Sequence, residues 1–214
     1  MDLQTRIINL LTNPCEEWKT IATEATDIAS LYREYIGLLA LIPAFCTFIG
    51  MCVVGVRMPF LGITVRTPVT EGILYLIVWY ICSLASVYLS ALIVEKLAPS
   101  FQSRGDTLQA VKLVGFAATP MWLAGVFSIV PSLSMLSLIA GLYAIYLFYV
   151  GVGVVMQTPT EKVLSYMVVA GLVVVVVHVV TFSVASSVFA ASSVATPALS
   201  LEQLLRESGT VGKI

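Results

Sequence analysis

A single histidine, His178, sits in the run VVVVVHVV and is the sharpest polar feature of this 214-residue chain. An ionisable ring in the middle of an apolar helix is costly unless it meets a partner or a water-filled cavity. His178 therefore reads in one of two ways. It is a proton-relay or gating group, or it is a neutral imidazole hydrogen-bonded to a serine or tyrosine of a neighbouring helix. Tyr143, Tyr146 and Tyr149 recur at i, i+3 and i+6, so they share one drifting side of a helix. They would line a polar path, or they are packing rings whose hydroxyls find local acceptors. His178, Tyr143 and Tyr146 make up the candidate intramembrane polar site.

The remaining chemistry is thin. An active site requires an acid and base pair or a nucleophile, an orienting partner and room for substrate. The twelve Asp and Glu residues all fall in terminal segments or loops, so no apolar run contains a carboxylate for acid and base work. The four cysteines, Cys15, Cys46, Cys52 and Cys82, lack metal-ligand spacing and read as packing residues. No glycine-rich phosphate loop or nucleophile elbow appears. The expectation is a chain with no catalytic residues, no metal and no cofactor, and hence not an enzyme.

The elements that would position these residues are set by composition. The chain is 59% hydrophobic and 11% charged, with a mean hydropathy of +0.99, which excludes an ordinary soluble domain. Several segments are apolar on every face for about 20 residues, the length that crosses the hydrocarbon of a bilayer. The fold class expected is all-α, a polytopic membrane bundle of five helices over 35–56, 72–94, 108–130, 133–156 and 163–188, within a domain covering 35–192. Pro43 should bend the first span and Pro120 the third. Pro131 should close a tight antiparallel hairpin between the third and fourth. The valine-rich fifth run is too long and too uniform to be a spanning strand.

Flanking these spans are two amphipathic regions. In residues 1–34, Leu3, Ile7, Ile8, Leu10 and Leu11 lie near one face of a short interfacial helix, with Arg6 and Asn9 elsewhere. Asn13, Pro14, Glu16 and Glu17 open a second helix reaching about Leu31, with Trp18 suited to the headgroup zone. No continuous apolar run precedes Tyr35, so the N-terminus does not read as a signal peptide. Residues 193–214 read as a tail with a short helix after Pro197, capped by Ser200 with Gln203 and stopped at Gly209. The loop 57–71 would lie on the membrane surface or dip into it. Small residues at four-residue spacing, Ala40 with Ala44, Ser86 with Ser90 and Ala140 with Ala144, allow close helix approach.

Five crossings put the termini on opposite sides. Arg6, Lys19, Arg33, Lys96, Arg104, Lys112 and Lys162 fall on the N-terminal side, against Arg57, Arg66, Arg206 and Lys213 on the other. The excess of cations places the N-terminus in the cytoplasm and the C-terminus outside. A formal net charge of -1 without any block of like charge gives no footprint for nucleic acid. The partners expected are the lipid bilayer and a second copy or another membrane protein.

Between Tyr88 and Val169 the chain resembles the bacterial branch of the Yip1 domain family. The resemblance rests on LAPSF, on Gln109 with Lys112 entering the third span, on the glycine and aromatic before Thr119-Pro120, on Pro131, on Leu142-Tyr143 and on Pro159 with Lys162. The opening NPCEEW, Asn13 to Trp18, is similar as well. The resemblance implies a five-helix bundle of the bacterial inner membrane with a cytosolic N-terminus. Eukaryotic members are associated with Rab GTPases, vesicle traffic and membrane shaping. The N-terminal region here is short and lacks their acidic DLYGP-type segment, so no binding residue carries over. The function expected is a non-enzymatic scaffold or interaction protein that self-associates or shapes the membrane. The alternative is a small-solute or ion transporter with a polar path near His178.

Overall fold

The computed structural model describes residues 2–58 and 63–211, with side chains left undescribed at 56–63, 131, 132, 134, 188 and from 191 onward. The chain begins with two short helices, α1 (Leu3–Thr12) and α2 (Pro14–Thr23). Among the described residues five helical stretches are long and apolar enough to cross a membrane: Ile28–Val54, Val69–Phe101, Thr107–Ile129, Ser137–Val155 and Thr160–Ser187. We label the first of them α3 and the α-helix Val69–Leu97 of the second α4. The third divides into α5 (Thr107–Ala117), α6 (Thr119–Ala124) and a 3₁₀ segment, Gly125–Ile129. α7 is Ser137–Val155 and α8 is Thr160–Val211. The all-α, five-span architecture expected from composition is the one observed.

The third span is the hub. Its apolar window is 72% buried against 17–33% for the other four, so it is surrounded by protein while they face lipid. Every residue from Gln109 to Ala117 is buried. α4 packs against α5 on one side and along α8 on the other, and α7 lies against α5 and α6. The hairpin of third and fourth spans is thus present, joined through a 3₁₀ segment, Pro131–Leu136. Pro120 occupies the first turn of α6, where its missing N–H costs nothing, directly after the break at Ala118.

Several boundaries differ from the sequence expectation. The second helix stops at Thr23, and the first span starts at Ile28 instead of Tyr35. Asp27 is the reason: its carboxylate accepts the Ala29 and Ser30 amides at 3.1 and 3.2 Å, capping a new helix. The Ser30 hydroxyl and amide hold that carboxyl below its usual pKa. α3 stays helical through Pro43, and its departures from α geometry fall at π turns over Tyr32–Ile36 and Gly50–Val54. The second span continues past Val94, through α4 and a 3₁₀ turn, Ala98–Phe101, where a polar loop was expected. In the loop 57–71, β1 (Val56–Met58) pairs antiparallel with β2 (Ile63–Val65), a small hairpin in an otherwise helical protein. Pro59, Phe60, Leu61 and Gly62 at its tip lie outside the described residues. α8 runs on to Val211 where a separate tail helix was expected after Pro197. The helix continues through this proline despite the ladder hydrogen bond and the ring clash that a mid-helix proline costs. The expected cap at Ser200 and Gln203 lies outside the described side chains.

Pro43 meets the third span at Gly125, where a Cβ would stand 2.5 Å from the proline Cβ and 2.6 Å from its Cα. Neither partner is flexible. Gly125→Val is therefore expected to lower stability by about 1–3 kcal/mol through overpacking. Gly141→Ala is the control, since its Cβ meets only the Met121 sulfur at 3.5 Å. Thermal midpoints in detergent should fall for the first and hold for the second; equal midpoints would refute the contact.

Candidate functional site

The polar groups of this bundle gather where α1 and α2 fold back onto the third and fourth spans. Leu10, Trp18 and Ile21 are completely buried, and Leu3 and Ile7 pack against the same core. The interfacial reading of these helices is thus corrected. An amphipathic stripe looks alike whether lipid or protein covers it, and here protein covers most of it. Trp18 lies edge-on to Phe116, with ring centroids 6.3 Å apart, and over Gly151, where a Cβ would come within 2.8 Å of its ring. It is a core residue and not a headgroup anchor.

Arg6 is correspondingly on the inside, 5% exposed, although the sequence pattern puts it off the apolar face of α1. Its guanidinium donates to Glu17 Oε1 at 2.9 Å and to Glu24 Oε2, and it lies 5.5 Å from the centroid of the Phe116 ring. Asn9 Nδ2 donates to the other Glu17 oxygen at 2.9 Å. Glu17 is 4% exposed, so α1 and α2 are joined by a buried ion pair with its lone pairs occupied. Two cations, Arg6 and Lys112, meet two carboxylates, Glu17 and Glu24, in this region.

The spans hold the free ends of both helices. The last carbonyls of a helix lack intrahelical partners and attract cations and donors. Lys112, 1% exposed, donates through Nζ to the carbonyls of Ile21 and Glu24 at 2.8 and 2.7 Å. Gln109, one turn earlier on α5, donates to the Ala22 carbonyl at 3.3 Å, while its own Oε1 is buried without a partner. The Tyr143 hydroxyl does the same for α1, donating to the Leu11 carbonyl at 2.9 Å. Lys112 reads from the sequence as one of the topology-setting charges, and Tyr143 as lining a polar path or as a packing ring with a local acceptor; here both cap helix ends, and the acceptor of Tyr143 is distant in the chain.

Beside this clamp is a cavity of about 110 Å³, lined among others by Arg6, Glu24, Ser30, Glu34, Tyr35 and Lys112. Tyr35 donates to Thr119 Oγ1 at 2.7 Å, and the Thr119 hydroxyl donates in turn to the Phe116 carbonyl at 2.7 Å. This chain of bonds ties α3 to the start of α6. The arrangement is suited to holding helices in place: its donors are spent on helix ends and on carboxylates that already have partners. Among the described residues no group of three or more His, Cys, Asp or Glu is placed to hold a metal.

His178 lies elsewhere, exposed on α8, where it lines a groove of about 330 Å³ together with Trp79, Ser83, Ser86, Thr181 and Phe182. Its Nδ1 is 2.9 Å from the carbonyl of Val174 on its own helix, not from a neighbouring helix. No tyrosine lines that groove. Tyr146 is 44% exposed on α7, its ring 5.6 Å from that of Tyr143, and Tyr149 is 44% exposed as well. The structure therefore brings Tyr143 and Tyr146 together and leaves His178 apart from them.

Comparison with known proteins gives two findings. The family model described as the Yip1 domain matches residues 8–194. The curated relatives include the inner membrane protein YohC of Escherichia coli strain K12, 25% identical over 165 residues, covering 76% of this chain and 84% of that protein. The YohC of strain CFT073 matches to the same extent. No solved structure matches significantly. The matched region takes in the second half of α1, all of α2 and all five spans.

Proposed function

From the premise that this chain belongs to the Yip1 domain family, we propose that it is a non-enzymatic scaffold of the bacterial inner membrane, with its N-terminus in the cytoplasm. The observation that carries this reading is the clamp. Arg6, Glu17, Lys112 and Tyr143 are used to hold a helical hairpin rigidly against the spans. The outer side of that hairpin stays available, with Gln4, Ile8, Leu11, Glu16 and Lys19 exposed. A fixed surface with two exposed apolar residues among polar ones suits protein contacts. The similarity to an inner membrane protein supports the location, and the excess of cations on the N-terminal side supports the orientation.

Cys15 is exposed on the hairpin and offers a direct test. With Cys46, Cys52 and Cys82 replaced by alanine, donor- and acceptor-labelled copies are mixed in liposomes at constant lipid. Energy transfer above that of randomly mixed labels, or a change in vesicle size and shape, is the expected result. Random transfer in unaltered vesicles would overturn the scaffold. Solute or ion flux abolished by His178→Ala would overturn it in favour of a transporter.

A further inference from the structure

The groove between α4 and α8 contains two polar atoms that have no partner among the described residues, well inside the two apolar spans that form it. A carbonyl only accepts, so the bond from His178 to Val174 requires a proton on Nδ1. A neutral ring then leaves Nε2 as an acceptor. Nothing among the described residues bonds to it, or to the Ser83 hydroxyl on the opposite wall. The other groove hydroxyls are occupied: Ser86 donates to the Ser83 carbonyl at 2.8 Å and Thr181 to the Val177 carbonyl at 2.7 Å. Unpaired polar atoms in an apolar medium are costly, and a molecule that pairs them is bound the more tightly for it.

The shape of the groove narrows the choice of occupant. Towards one end the Tyr75 and Phe189 rings meet at 5.2 Å. Towards the other, Tyr166 donates to the Val94 carbonyl at 2.6 Å beside the fully buried Ser90 and Ala170. Along the seam, then, the helices are pinned on both sides of the groove, and its free opening is lateral, into lipid. A second transmembrane helix would have to follow the seam past those pins. A compact ring entering sideways would not. The volume of about 330 Å³ exceeds the roughly 150 Å³ apolar cavity that admits benzene.

We propose that this groove binds a membrane-soluble phenolic ring. The ring hydroxyl donates to His178 Nε2, the Ser83 hydroxyl donates to an oxygen of the ligand, and Trp79 and Phe182 contact its faces and edge. Protein in lipid nanodiscs is titrated with 4-bromophenol, whose bromine quenches nearby tryptophan, and with 4-bromoanisole, the same ring without the donor. Saturable quenching by the phenol is expected, absent in Trp79→Phe. It should be about tenfold weaker for the anisole and in His178→Phe, the effect of one lost hydrogen bond. The ligand pair needs no variant, and Ser83→Ala provides a milder one. Equal, non-saturating quenching by both probes would mean partition into lipid alone and overturn the site. Oxidative cross-linking of copies through Cys82, which also lines the groove, would overturn it in favour of a second copy.

Discussion

Replacement of Arg6 by methionine is expected to cost about 3–5 kcal/mol of folding stability, the range seen when one partner of a buried ion pair is removed. Methionine keeps an unbranched apolar side chain in the core and deletes the guanidinium, with its charge, its donors and its contact with the Phe116 ring. Glu17 would then remain 4% exposed with Asn9 as its one neutral donor. Glu24 would lose the one hydrogen bond that its carboxylate makes among the described residues. Unfolding in mixed detergent micelles gives the stability, and a red shift of tryptophan emission reports release of Trp18 from the core. The double variant Arg6→Met, Glu17→Gln should recover much of the loss, because the stranded carboxylate is then neutral. A single variant within about 0.5 kcal/mol of the parent, the usual range for surface changes, would show that the cluster contributes little.

Lys112→Met should cost about 2–4 kcal/mol, since two carbonyls at the end of α2, those of Ile21 and Glu24, lose their ammonium donor within the protein. Its neighbour makes an informative contrast. Gln109→Leu removes one long bond to Ala22 and, with it, a buried carbonyl oxygen that has no partner, so the two changes offset and the variant should be close to neutral. Hydrogen exchange across Pro14–Thr23 should rise sharply for Lys112→Met and little for Gln109→Leu. If both variants behave alike, the ammonium is not what holds α2 to the bundle.

How much of this was legible in the sequence varied with the kind of signal. The spans are read from length and hydropathy, which depend only on a residue's neighbours along the chain, and all five are present. Proline was a less even guide: Pro120 lies at the break after Ala118, whereas Pro43, expected on the same local ground to bend the first span, sits inside a continuous helix. The Asp27 cap had a local signature too, an acid ahead of Ser30 and the apolar run, yet it lies inside what reads as one amphipathic helix. The clamp was not legible. Lys112 looks like any cation flanking a span, and Trp18 like any interfacial aromatic; what separates a flank from a cap is which carbonyls lie opposite. Those carbonyls belong to residues some ninety positions earlier. Tyr143 fails in the same way, its acceptor at Leu11 being 132 residues distant. The carboxylates all read as lying outside the spans, yet Glu34, Glu71, Glu95 and Glu161 fall within the longer spans observed, and nothing local hinted that Glu17 would be buried by folding back.

Those separations also impose an order in time. The hairpin leaves the ribosome before the spans, and the residues that receive it, Lys112, Tyr143 and Gly151, emerge 88 to 133 positions after their partners. At about 5–20 residues per second, synthesis leaves α1 and α2 waiting on the order of ten seconds with Leu10, Trp18 and Ile21 uncovered. During that interval the nascent chain carries an amphipathic segment beside a bilayer into which its spans are still being threaded. The docking site for the hairpin is complete only once the fourth span, which carries Tyr143 and Gly151, has been made.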